Sequence, residues 1–311
     1  MNKHVTVIGG GVAGMAAAGT LASLGIPATL IEQEPDAGGH VARWDRLFPH
    51  RRDAREVLES LAAGIREGVD LVTNCQVTKI DRTDGHFLIT PTRGKPISTS
   101  AIIVTTGFKV FDARKKEEYG YGIYDNVITS ADLEDILRKG KGLTTRQGKT
   151  PAKVAFIHCV GSRDEKAGNL YCSKVCCVTG VKQAIEIREM LPECEVYNFY
   201  MDLRMFDRHF EEMYLEAQQK WGINFIRGRL SECAENQEFS LVMKTEDTLT
   251  GKPLKMTVDL IVLLAGFVPN PGTESVAGML GLKSSPDGFL STTDDNLADN
   301  SEDRLEDGLE D

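Results

Sequence analysis

Apolar residues along this chain come in short, nearly continuous runs separated by longer stretches with helical spacing. His4-Val5-Thr6-Val7-Ile8 is the first run, Ala28-Thr29-Leu30-Ile31 the second, and Ala101-Ile102-Ile103-Val104 a later one. Such runs predict strands buried on both faces, as in a parallel sheet. Between the first two lies an alanine-rich segment with Ala16, Ala17, Ala18, Leu21, Ala22 and Leu24, which predicts a helix ended by Gly25. Val57, Leu58, Leu61 and Ile65 form a stripe that predicts a second helix over Ala54 to Ile65. Val69–Val72, Gln76–Ile80 and Phe87–Ile89 predict further strands, the last two joined by an Asp84-Gly85 turn. Strands alternating with helices place this part in the α/β class.

The pattern lapses over residues 109 to 150, which are polar. Within them Tyr119-Gly120-Tyr121-Gly122 predicts a loop, Ser130 the cap of a helix through Ala131-Asp132-Leu133-Glu134, and Lys139 to Thr150 a linker. A second β-α-β unit begins at Lys153. Its strand is Val154–Val160, its helix Cys172–Leu191, and its next strand Glu195–Tyr200. Phe210–Trp221 predicts a helix and Asn224–Ile226 a strand. A hairpin pairs Phe239–Met243 with Met256–Val258 and turns at Thr250-Gly251. Val258–Phe267 is a last buried strand, similar in character to Ala101–Gly107, and is expected to return the chain to the first unit. The expected organisation is a discontinuous domain over 1–108 and 255–290, an inserted domain over 109–254, and a terminal segment over 291–311.

Composition is globular, and no run of about 18 apolar residues predicts a membrane helix, so no direct membrane insertion is expected. The chain enters a strand at once, without a signal peptide, which points to the cytoplasm, where thiols stay reduced. Of the formal net charge of −10, the stretch from Asp294 to Asp311 carries −8, with nine acids against Arg304 alone. The remainder is near neutral, so nucleic-acid binding is not expected. The acidic tail predicts a solvated, disordered segment.

Gly9-Gly10-Gly11-Val12-Ala13-Gly14 joins the first strand to the first helix, and Glu32 stands at the tip of the next strand. This is a dinucleotide fingerprint in its full context. Gly9 makes the tight turn, Gly11 lets the backbone approach a pyrophosphate, and Gly14 lets helix and strand pack closely. Val12 and Ala13 open the helix whose N-terminus faces the phosphates. Glu32 can accept from a ribose hydroxyl.

The chain has seven cysteines, four of them in the pattern Cys159-x12-Cys172-x3-Cys176-Cys177. Cys159 comes from a strand end. Cys172 and Cys176 are expected on one helix face, with Cys177 about 100° round. Four converging thiolates hold an iron–sulfur cluster or zinc. The plain alternative is buried thiols acting as small hydrophobes, and that is the expectation for Cys75, Cys194 and Cys233. Arg163 and Lys174 stand near the four, either stabilising thiolate charge or as solvated surface charges. The turn after Val154–Val160 lacks the glycine cradle of a second nucleotide site.

Gly38-Gly39-His40-Val41-Ala42-Arg43 with Leu47-Phe48-Pro49, Cys159 through Glu165, Tyr171 through Cys177, and Arg227-Gly228-Arg229 resemble the A-type flavin subunit of heterodisulfide reductase. They also resemble its relative in the quinone-interacting oxidoreductase of sulfate reducers. The similarity runs from about Val5 to Phe289. It implies an α/β fold of two Rossmann-like dinucleotide-binding domains, thioredoxin-reductase-like, with the second adapted to an iron–sulfur site. It implies FAD at the first site, with Gly39, His40, Val77, Thr106, Gly107 and Gly266 lying along it. It further implies a [4Fe–4S] cluster on the four cysteines, and electron transfer with other subunits of a heterodisulfide-reductase-like or hydrogenase-like redox complex. No catalytic side chain is expected, because the flavin carries the chemistry. Arg51-Arg52-Asp53 stands where many members carry further cysteines. The acidic tail stands where they carry a final strand with a Gly-Asp-like turn. Two other readings stay open: an FAD-dependent dithiol/disulfide reductase, against which C-x3-C-C speaks, and a truncated, non-catalytic paralogue that binds a partner.

Overall fold

A computed structural model of the chain describes residues 3–65, 67–83 and 85–291. The acidic tail from residue 292 and Asp84 of the expected turn lie outside the described residues. The first unit runs β1 (Val5–Ile8), α1 (Val12–Ser23), β2 (Ala28–Ile31), α2 (Ala54–Ile65), β3 (Val69–Val72), an antiparallel meander β4–β6 (Val77–Thr83, His86–Pro91, Ile97–Thr99) and β7 (Ala101–Val104). Its parallel sheet has the order β3-β2-β1-β7. Val7 and Leu30 at its centre are fully buried against Met15, Ala18 and Ile65. Small residues along α1 let it sit close on the sheet.

The second unit continues with β8 (Phe108–Val110), β9 (Val127–Thr129), α3 (Ser130–Lys139), β10 (Lys153–Val160), α4 (Cys176–Met190), β11 (Glu195–Tyr200), α5 (Phe210–Gln219) and β12 (Asn224–Arg227). An antiparallel sheet β13–β15 follows (Leu230–Glu235, Leu241–Asp247, Lys252–Val258), then β16 (Leu260–Ala265) and β17 (Phe267–Pro269); α6 (Pro271–Leu280) comes last and packs on the first unit, with Val276 beside Ile8 and Ile31. Five parallel strands take the order β9-β16-β10-β11-β12. Every residue of β16 is buried, as are all but the first of β10. Val178, Val181, Ala184, Ile185 and Ile187 of α4 lie in the core beside them. Burying each of the larger aliphatics contributes about 1.5–3 kcal/mol. Truncating Ile185 to Ala would cost about 2–5 kcal/mol.

A two-stranded antiparallel ribbon joins the units, with β8 running against β17 so that Phe108 faces Pro269 and Val110 faces Phe267. Strands of three residues are too short for a period to register, and neither was expected. β16 was expected to return the chain to the first unit, but it lies inside the second sheet, paired to β9 and β10. The chain recrosses only at β17. The cap of α3 is Thr129 rather than Ser130: its hydroxyl accepts from Asp132 N–H, while the Asp132 carboxylate accepts from Thr129 N–H, a full capping box. Helix α4 begins at Cys176, not Cys172. Among the described residues no helix is long and apolar enough to cross a membrane.

Candidate functional site

The fingerprint glycines divide into two kinds. Gly9 has φ +109°, and a Cβ there would stand 2.2 Å from the Thr105 carbonyl oxygen. A Cβ on Gly14 would stand 1.8 Å from the Gly9 carbonyl oxygen. Both glycines are therefore required for packing. Gly11, the N-cap of α1, would direct a Cβ into space with nothing within 4 Å. An open face at a helix N-terminus, next to the first turn at Val12 and Ala13, fits a phosphate group. The second glycine turn closes on the first: Gly38 N–H donates to Gly10 O at 2.7 Å, and a Cβ on Gly39 would lie 3.1 Å from Gly11 Cα.

Glu32 is buried, and its carboxylate accepts from Gly10 N–H at 2.6 Å and Glu34 N–H at 2.8 Å. It holds the loop in shape and keeps lone pairs for a hydroxyl. Glu32 O also accepts from Cys75 N–H, two residues before Val77. The Thr106 hydroxyl is bonded to that of Thr273 at 2.7 Å, and beyond it Gly107, at φ +70°, faces open space. His40 stacks on Phe108 at 4.6 Å, and Phe108 on Phe267 at 3.6 Å. The glycine turn thus touches the inter-unit ribbon. Gly266 is placed elsewhere, against the cysteine loop: a Cβ there would lie 2.6 Å from Ser162 Cβ and 2.9 Å from Ser173 Oγ.

Cys159 stands near the end of β10, Cys172 on the loop that follows, and Cys176 and Cys177 in the first turn of α4. Cys159 sits at the break in pairing between Ile157 and Val160, with φ +58°; Arg163 and Lys174 are also left-handed, at +54° and +61°. Non-glycine residues adopt that conformation only where the surroundings over-determine it. Here they do. The Ser162 hydroxyl donates to Tyr171 O and accepts from Ser173 N–H, both at 3.0 Å; the Ser173 hydroxyl accepts from Phe267 N–H at 2.8 Å. Asp164, buried, takes Lys116 and Arg229, each at 2.8 Å. Burial works against its charge, but these two cations hold its carboxyl below the usual range.

This strapping explains why Cys172 and Cys176 do not share a helix face. Residues 171–175 are fastened to the strand end by tertiary hydrogen bonds, and the helix starts after them. Cys159, Cys176 and Cys177 are buried and Cys172 is half-buried. Burial, with the neighbouring thiols adding to it, pushes Cys159 up to about 11. Cys176 lies well above its ordinary value from burial and then the fields of Cys159, Cys177 and Cys172. Cys177 is raised by burial and opposed by the Arg204 N–H. The four therefore act on one another electrostatically, and ionising several of them needs a compensating cation. As they stand, no three His, Cys, Asp or Glu side chains among the described residues are grouped to hold a metal ion. Cys75, Cys194 and Cys233 are buried in three separate clusters, as expected of small hydrophobes.

A cavity between the units is lined by Trp44, Phe48, Val110, Cys176, Lys182 and Phe267, among others. Lys182 is only 2% exposed. It pairs with Glu134 and, at 3.3 Å, with Glu186, and donates to Arg46 O at 2.8 Å. Two carboxylates share one ammonium, and burial pushes Glu186 up to about 7. The signal that could have found this cluster was a Lys-Gln-x-x-Glu sequence inside an otherwise apolar helix.

The family model described as pyridine nucleotide-disulphide oxidoreductase matches residues 3–303. The chain is 32% identical to the A-type subunit of the H(2):CoB-CoM heterodisulfide,ferredoxin reductase of Methanothermobacter marburgensis, over 93% of this chain and 57% of that protein. It is also 32% identical to the A-type iron-sulfur subunit of the CoB--CoM heterodisulfide reductase of Methanocaldococcus jannaschii, over 96% of this chain and 59% of that one. The chain thus spans somewhat more than half the length of the curated relatives it matches. Among solved structures, thioredoxin reductase of Lactococcus lactis superposes with TM-score 0.63 at 19% identity, covering 94% of this chain and 85% of that one. The T. acidophilum enzyme gives 0.60 at 17%, covering 93% and 84%. At such identities these two establish the fold.

Proposed function

Because the chain belongs to the pyridine nucleotide-disulphide oxidoreductase family, a family of flavin-dependent oxidoreductases, we propose that it is the flavin and iron–sulfur electron-transfer unit of a heterodisulfide-reductase-like complex. The first unit would hold FAD and the four cysteines a [4Fe–4S] cluster, and together these groups would supply electron-transfer chemistry. The observation that carries this reading is the contrast between its two strand-to-helix turns. The first, at Gly11, leaves open backbone at a helix N-terminus. The second is filled by its own side chains: Gly161 packs on Phe111, and Ser162 and Ser173 tie the loop shut. Four thiols stand there in place of a phosphate cradle.

FAD would be held at Gly9, Gly11, Val12, Ala13 and Gly14, with Glu32 toward the ribose, Gly39 and His40 on the second glycine turn, and Val77, Thr106 and Gly107 along the same edge. Gly266 would act through the cysteine loop. Cys159, Cys172, Cys176 and Cys177 supply four soft donors, the set that iron–sulfur clusters take. Bound, the flavin supplies two-electron and one-electron chemistry and the cluster one-electron chemistry. The protein's own residues position and insulate. The His40–Phe108–Phe267 stack fixes the ribbon between the two sites. The Asp164–Lys116–Arg229 cluster keeps the cysteine loop in its left-handed conformations. The burial of Cys176 and Cys177 speaks against a cycling dithiol, whose attacking thiol needs access. The relatives are subunits of larger reductases, so the expected partners are other electron-transfer subunits, in the cytoplasm.

Gly11→Val tests the flavin site. The side chain would enter the open space at the α1 N-terminus without disturbing packing, so folded protein should lose most of its flavin. A variant that folds and keeps flavin at the parent level would place the site elsewhere.

A further inference from the structure

A cavity of about 450 Å³ is lined by Phe111, Lys115, Lys116, Glu118, Lys166 and Ser231, among others. None of the flavin residues or cysteines assigned above lines it. Its walls come from three places: the turn that follows β8, a turn between Cys159 and Cys172, and β13. Both turns are held by their own backbone. Lys115 N–H donates to Asp112 O at 3.1 Å and Lys116 N–H to Ala113 O at 3.0 Å. Asp164 N–H donates to Asn169 O at 2.8 Å, and Asn169 N–H to Asp164 O at 3.1 Å. The fold therefore brings the lysines to one space against their mutual repulsion.

The charges around this space do not balance. Lys116 is 4% exposed, and its ammonium is already shared by Glu118 and Asp164, each at 2.8 Å. Asp164 is in turn matched by Arg229 at 2.8 Å. Lys115 and Lys166 are exposed and close no ion pair among the described residues. Lys166 acts on the Glu118 carboxylate only from a distance. The lining thus holds three ammonium groups against one carboxylate, an excess of two positive charges.

We propose that this cavity binds a small phosphate ester, its phosphate held by Lys115 and Lys166 and its organic part lying against Phe111 and Ser231. A phosphate monoester carries about −1.5 to −2 at pH 7 and offers three acceptor oxygens, which matches the excess; a single carboxylate would leave one charge unmet. Lysines serve as point-charge ligands for phosphate, and the Ser231 hydroxyl can donate or accept. The volume lies within the range of roughly 300–1,000 Å³ that takes small organic ligands, so it has room for more than the free ion. Lys115 stands on the turn leading away from the ribbon and Lys166 on the turn leading to Cys172, so an occupant would tie these two turns together. The site rests on neither the flavin nor the cluster.

Calorimetric titration of the flavin-loaded full chain in low-chloride buffer tests it, with inorganic phosphate, glucose 6-phosphate, AMP and succinate as probes. Phosphate should bind saturably, one per chain, and at least one ester should bind more tightly. Lys115→Gln with Lys166→Gln should weaken both by about tenfold or more, with flavin content unchanged. Lys95→Gln with Lys220→Gln, and Gly11→Val, should bind as the parent does. Absence of saturable binding, or equal binding by the Lys115/Lys166 variant, would overturn the site. Succinate binding as tightly as the esters would overturn the phosphate assignment, and phosphate binding without either ester would overturn the ester. Iron and flavin measured on the same samples report separately on the function proposed above.

Discussion

Glu186→Gln is predicted to stabilise the protein at pH 8 and to leave it nearly unchanged at pH 4.5. Glu186 is buried beside Lys182, which Glu134 also claims, so the pair of carboxylates leaves one negative charge without a partner. Burial is the largest cause of its rise, from 4.5 to about 7. The sign follows from proton binding. Between pH 4.5 and 7 the unfolded chain releases the Glu186 proton while the folded one keeps it, so stability falls as pH rises through that window. Above pH 7 the loss is complete. At roughly 1.4 kcal/mol per pH unit, a rise from 4.5 to about 7 amounts to about 3 kcal/mol. The amide preserves shape and removes the charge, leaving Lys182 and Glu134 as a balanced pair. Urea unfolding followed by tryptophan fluorescence suits the test, since Trp44 lines the cavity and Trp221 donates to Glu216 on α5. The variant should gain about 3 kcal/mol at pH 8 and less than about 0.5 kcal/mol at pH 4.5. An equal shift at both pH values, or lower stability at pH 8, would refute the reasoning.

Titration with NADH should show no saturable binding at the β10–α4 turn, because Gly161 there packs on Phe111 instead of facing space; stoichiometric flavin reduction by NADH that a change at Gly161 abolishes would contradict this. Cys75→Ser, Cys194→Ser and Cys233→Ser should each leave iron content at the parent level, read by colorimetric assay, while costing about 1–3 kcal/mol for a hydroxyl placed among apolar neighbours.

The glycine turn after β1 was legible because its constraints are local. Gly9 and Gly14 answer to atoms a few residues away, or on the neighbouring strand, and any β-α-β unit of this kind imposes them. The four cysteines were legible as a group, but not their geometry. Where α4 begins is decided by Ser162, Ser173 and Phe267, and the last is 94 residues from its partner Ser173. Helical spacing across Cys172 and Cys176 carried no sign of that. β16 was readable as a buried strand, yet an apolar run does not say which sheet will take it. Lys182 was not singled out from the sequence, and its partner Glu134 lies 48 residues earlier on another helix. Partner choice across such separations is a property of the packed fold.

Metal and flavin content of the anaerobically reconstituted protein tests the central claim most directly. The parent should carry one FAD and about four iron per chain, with the broad visible absorption of a four-thiolate cluster. Cys159→Ser, Cys172→Ser, Cys176→Ser and Cys177→Ser should each lose most of the iron and that absorption, and keep the flavin, whose proposed site is on the other unit. Parent protein that binds flavin but holds zinc, or no metal, would contradict the account.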